Sequence, residues 1–86
     1  MLLAIDVGNT NITFGGYEGE KQVCTFRMTT KQQRTSDEYG ISISEMLKLS
    51  GYTRESVTGV IIASVVPGIM HSLTSAIEKY FNTKIA

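Results

Sequence analysis

Met1-Leu-Leu-Ala-Ile-Asp-Val-Gly-Asn-Thr-Asn-Ile-Thr13 is the stretch whose reading decides how this chain folds. The aliphatic run Leu2, Leu3, Ala4 and Ile5 reads as a central β-strand covered on both faces, with one carboxylate, Asp6, at its end. An ionised Asp within a covered sheet is costly unless it is paired or faces a bound cation, so Asp6 is expected to work at the sheet's edge. Gly-Asn is itself a strong hairpin signal, and a plain turn would account for Asp-x-Gly-Asn between two apolar strands. Yet Asn9, Thr10, Asn11 and Thr13 add more amide and hydroxyl donors than a turn requires. Gly8 offers backbone conformations closed to other residues and lets an anionic ligand approach the main chain. The segment therefore reads as a phosphate and metal site built on a hairpin. The chain contains neither G-x-x-x-x-G-K-[ST] nor G-x-G-x-x-G, and Gly8 leads into the strand-like Ile12, Thr13 and Phe14 rather than a helix. Anion binding at a helix N-terminus is not the mechanism these residues suggest.

Beyond the first turn, Ile12, Phe14 and Gly16 alternate with Asn11, Thr13, Gly15 and Tyr17, and Glu18-Gly19-Glu20 turns the chain again. Gln22 to Thr29 alternates once more, with Cys24, Phe26 and Met28 on one side and Val23, Thr25 and Arg27 on the other. Three strands joined by tight turns make an antiparallel meander. After a polar loop, Thr35 and Glu38 have capping-box spacing, and Tyr39, Ile43, Met46 and Leu47 share one face of the helix that follows. Gly51 supplies its left-handed stop. Val57 to Val66 is a largely β-branched run bounded by Pro67, the pattern of a doubly covered parallel strand beside the first. Pro67 then opens a second helix with Ile69 or Met70, Leu73, Ala76, Ile77 and Tyr80 on its apolar stripe, ending near Asn82. The predicted order is βββαβα. Lys84-Ile85-Ala86 reads as the lead-in to another strand, so the chain reads as stopping mid-fold.

With 86 residues, 42% of them hydrophobic, the chain can bury one modest core and not two. Eight Lys plus Arg balance eight Asp plus Glu without a charged run, so neither nucleic acid nor an anionic membrane is an expected partner. No stretch has the basic and apolar parts of a secretory signal, and none approaches a membrane span, which suggests a cytosolic chain. The single cysteine, Cys24, shares a strand face with Phe26 and Met28 and reads as core packing.

Three segments, Asp6-Val-Gly-Asn-Thr-Asn-Ile-Thr13, Arg34-Thr-Ser-Asp-Glu-Tyr-Gly40 and Ile61-Ile-Ala-Ser-Val-Val-Pro67, occur here in an order and spacing that resemble the N-terminal part of a type III pantothenate kinase. With the βββαβα order, the first also resembles the opening of an actin-like ATPase domain with a ribonuclease-H-like core. The resemblance implies an α/β half domain in which residues 1–86 form an N-terminal ATP-phosphate-binding subdomain, without the second lobe. It implies a cytoplasmic, dimeric enzyme that moves the ATP γ-phosphoryl group to pantothenate on the way to coenzyme A, using Mg²⁺ and a monovalent cation, K⁺ or NH₄⁺. Asp6, Val7, Gly8, Asn9, Thr10, Asn11, Ile12 and Thr13 would contact the nucleotide phosphates, and Asp6 would hold Mg²⁺, through water. In that family the catalytic Asp lies in a Gly-x-Asp-Arg segment downstream of the second helix, and no such segment occurs here.

The remaining candidates have structural explanations. Asp37 and Glu38 suit the first turn of a helix, while Glu45, Glu55 and Glu78 suit solvated positions. His71 lies off the apolar stripe of the second helix and is expected at the surface. Tyr52 has no assigned place. Two competing readings remain: a non-catalytic nucleotide-binding or transcription-accessory homologue, and a structural fragment of a kinase with exposed apolar surface.

Overall fold

A computed structural model describes residues 1–31, 33–64, 66–81, 83 and 85. Strands β1 (Leu2–Val7), β2 (Asn11–Glu18), β3 (Lys21–Thr29) and β4 (Gly59–Ser64) form one sheet in the order β3-β2-β1-β4. Helix α1 (Ser36–Leu49) joins β3 to β4, and α2 (Pro67–Phe81) follows β4. β1 pairs antiparallel with β2 and parallel with β4, in the predicted βββαβα order. The fourth strand begins at Gly59 rather than Val57. The Val57 N–H closes a short 3-10 helix, Arg54–Ser56, by donating to the Arg54 carbonyl at 3.2 Å, and the Thr58 N–H donates to the Met1 carbonyl. Ile85 forms a parallel bridge with Val60, where the sequence suggested a further strand; Lys84 and Ala86 lie outside the described residues.

Both helices cover the same face. β3 and β4 both run parallel to β1, and each crossover, β3-α1-β4 and β4-α2 toward Ile85, advances in the same direction across the sheet. Right-handed crossovers that advance the same way place their helices on one side. Leu3, Ile5, Val7, Ile12, Phe14 and Val60 therefore pack with Tyr39, Ile43, Leu47, Ile69, Leu73, Ala76 and Ile77, all at most 2% exposed. Each such aliphatic side chain contributes roughly 1.5–3 kcal/mol. The expectation of strands covered on both faces is corrected here. Leu2, Asp6, Ile61 and Ala63 are exposed, because no helix of the described structure reaches their face.

Helix α1 begins with the predicted capping box: the Glu38 N–H donates to Thr35 Oγ1 and the Thr35 N–H to Glu38 Oε1. It ends in a Schellman turn, in which Gly51 at φ 90° donates to the Lys48 carbonyl and Tyr52 to that of Leu47. That turn seats Tyr52 against the core. Cys24, also partly buried, packs there as expected, facing Gly16, where a Cβ would come within 2.6 Å of both its Sγ and Met1 Sδ.

Candidate functional site

The β1–β2 hairpin is tight because its two strands pair in register up to Val7 opposite Ile12. The Gly8 N–H then donates to the Asn11 carbonyl at 2.9 Å, leaving Asn9 and Thr10 exposed at the tip. Gly8 is not in the left-handed region as the hairpin signal suggested; the positive-φ glycines are Gly19 and Gly51. Its missing side chain serves close approach instead, since a Cβ there would stand 3.1 Å from the Asn11 carbonyl oxygen. Of the eight residues the sequence singles out, Val7 and Ile12 are fully buried in the core and can offer only backbone. Asn9, Thr10 and Thr13 are exposed, and Asn11 is half-buried.

Asp6 is not at an edge of the sheet. It sits on the central strand, one residue before that strand's carboxyl end, and is exposed because its face is open. Thr13 stands opposite it on β2 and Ala63 on β4. The carboxylate borders a depression of about 340 Å³ also lined by Ala4, Gly15, Tyr17, Ile61 and Ala63. Among the described residues Asp6 belongs to neither ion pair, and no three acidic, His or Cys side chains gather into a metal cluster. A lone, unpaired carboxylate fits a cation held mainly by water and phosphate oxygens, and does not fit an all-protein cage.

The turn is held from a third strand. Thr30, just past β3, donates its hydroxyl to the Gly8 carbonyl at 2.8 Å and its N–H to the Thr10 carbonyl at 2.9 Å. Thr30 is not among the residues the sequence singles out, because nothing local shows that β3 ends beside the first turn. Ser64 is in register with Val7, the neighbour of Asp6, but its hydroxyl is committed to the Val66 backbone where β4 turns into α2.

The segment Arg34 to Gly40 builds architecture. Arg34 donates to the Thr29 carbonyl and lies over the Tyr39 ring, and Tyr39, whose phenol burial pushes above its ordinary pKa, donates to the Lys31 carbonyl. Asp37, assigned by sequence only to a helix first turn, also accepts from Lys79 at 2.8 Å and from the Tyr80 hydroxyl at 2.7 Å. These two hydrogen bonds, with the Lys79 charge, hold its carboxyl below the usual range. His71 is exposed, as expected. A second groove, of about 450 Å³ between α1 and the 3-10 helix, is lined by the opposed charges Glu45, Lys48, Arg54 and Glu55 and lies away from the hairpin.

The fold and hairpin have clear relatives. The family model for type III pantothenate kinase matches residues 2–86. A type III pantothenate kinase of Agathobacter rectalis is 50% identical over 84 residues, covering 98% of this chain and 32% of that protein. One from Bifidobacterium longum is 49% identical over 82 residues, covering 95% of this chain and 32% of its own length. The chain thus spans about a third of these relatives. Among solved structures, a candidate N-acetylglucosamine kinase from Porphyromonas gingivalis superimposes with a TM-score of 0.69 at 21% identity, over 100% of this chain and 34% of that one. YeaZ from Pseudomonas aeruginosa does so at 0.63 and 9% identity, over 99% of this chain and 41% of its own. At these identities both show the shared fold alone. Matched along nearly its whole length, the chain belongs to the type III pantothenate kinase family.

Proposed function

We propose that this chain is the N-terminal, nucleotide-phosphate-binding part of an ATP-dependent pantothenate kinase. The observation that carries the reading is the unpaired Asp6 carboxylate beside a hairpin clasped by Thr30, in a chain half identical to named pantothenate kinases. In the reaction the primary hydroxyl oxygen of pantothenate bonds to the γ-phosphorus, the bond to the β–γ bridging oxygen breaks, and ADP leaves. Such transfer demands positioning and charge neutralisation more than covalent help from the protein. The Asn9, Thr10 and Asn11 backbone and side chains would hold phosphate oxygens, with Thr13 bordering them, and Asp6 would hold Mg²⁺ through water. When bound, Mg²⁺ supplies positive charge to the phosphate oxygens. None of the described residues is assigned the hydroxyl proton; the family resemblance gives that task to the Asp of a Gly-x-Asp-Arg segment. The K⁺ or NH₄⁺ requirement, the homodimer and the cytoplasmic location belong to the same proposal.

The test is to supply the kinase carrying this chain with ATP, Mg²⁺, K⁺ and pantothenate and to follow 4′-phosphopantothenate. Formation that depends on all four supports the reading. A protein that binds ATP with no transfer to pantothenate would instead be the non-catalytic homologue.

A further inference from the structure

A row of residues crosses the open face of the sheet, and one of its members has no place in the site described above. Ala63, Asp6, Thr13 and Arg27 stand opposite one another on β4, β1, β2 and β3. Directly opposed residues point to the same side of a sheet, so the Arg27 guanidinium rises from the face that carries the Asp6 carboxylate. Two strand spacings put their Cα atoms roughly 10 Å apart. Thr13 lies between them and lines both the depression beside Asp6 and the one beside Arg27. All three side chains are exposed.

The ion pairs among the described residues join the N-terminal amine to Glu18 and Lys79 to Asp37, so Arg27 is in neither. Arg34, the guanidinium in the loop after β3, is already engaged by the Thr29 carbonyl and the Tyr39 ring. The hairpin itself offers neutral donors and one negative charge. A polyphosphate chain carries more negative charge than one divalent cation offsets, and a planar guanidinium matches phosphate oxygens with paired donors.

We propose that Arg27 is a further anion-binding residue of this site, donating to the polyphosphate chain of the nucleotide across Thr13 from Asp6. This rests on the nucleotide reading of the hairpin and extends the site from the first turn to the third strand.

The test uses the kinase carrying this chain and titrates AMP, ADP and a non-hydrolysable ATP analogue, with Mg²⁺, into the wild type, Arg27→Gln and Arg27→Lys. Arg27→Gln is expected to weaken ADP and the ATP analogue by roughly 10- to 100-fold, the worth of a hydrogen bond between charged groups. AMP affinity and the thermal midpoint should stay as in the wild type, and Arg27→Lys should recover part of the loss. Equal affinity of wild type and Arg27→Gln for all three nucleotides would overturn the assignment. So would an equal loss for AMP, which would place the effect away from the polyphosphate. A wild type that binds none of the three overturns the nucleotide reading itself, an outcome distinct from the failure of Arg27 alone.

Discussion

Asp6 lies in the open, with Thr13 and Ala63 as its cross-strand neighbours, so its charge can be removed with little effect on packing. In the proposed kinase, Asp6→Asn should lower phosphoryl transfer by two to three orders of magnitude, roughly 3–4 kcal/mol for a lost preorganised charge contact. The thermal midpoint should hardly move. Near-normal turnover of the Asn variant at ordinary Mg²⁺ would reduce Asp6 to a turn residue. Thr30 tests the hairpin's rigidity. Thr30→Val removes the hydroxyl bond to the Gly8 carbonyl, costing about 0.5–1.5 kcal/mol, and should speed amide exchange at the first turn. Unchanged exchange there would mean the clasp is incidental. The hairpin donors were legible in the sequence because they are neighbours along the chain. Thr30 was not, because its partner lies 22 residues away.

At the scale of elements, the two helices are joined where α2 lays the Tyr80 ring on Gly40 of α1. A Cβ on Gly40 would overlap that ring, so Gly40→Ala must displace it, at about 1–3 kcal/mol for overpacking. Denaturant midpoints should show the loss, and a Tyr80→Leu change in the same background should return part of it; simple additivity of the two would refute the contact. Asp37 fastens the same junction. Its depressed carboxyl contributes stability above the ordinary value of 3.8 and loses it as pH falls through the lowered pKa. Lys79 and Tyr80, both raised chiefly by their hydrogen bonds to Asp37, contribute below their ordinary values and lose it as pH rises through the raised ones. Asp37→Asn should therefore lower the melting temperature modestly near neutral pH, with the gap closing in acid and shrinking in salt, since these groups are exposed. A gap that persists in acid would assign the effect to packing. The helix caps and stripes were readable from spacing alone. The use of Asp37 and Gly40 to join two helices was not, because the partners lie on different elements.

For the molecule as a whole, the open face of the sheet has the largest consequences. Leu2 and Ile61, at 37% and 45% exposed, stand on it with Asp6, and β3 is the outer strand beyond β2. A polypeptide limited to these 86 residues should make no phosphopantothenate, since it presents one wall of a site whose reacting groups must be held together. Exposed apolar surface and an unpaired strand edge should also make it self-associate, and Ile61→Lys should lower the sedimenting mass. Turnover by a compact monomer would overturn both expectations. The order of elements, the hairpin, the capping box and the helix stripes were determined by sequence alone, because each rests on neighbours along the chain and on periods of two or 3.6 residues, while the family resemblance rested on three motifs in order. Only the tertiary structure decided which face stays open, which places Asp6, Thr13 and Arg27 in one row, and that Thr30 closes the first turn. An apolar run shows that a strand is buried, but the number of covered faces depends on crossover handedness, and the row depends on register between segments far apart in sequence.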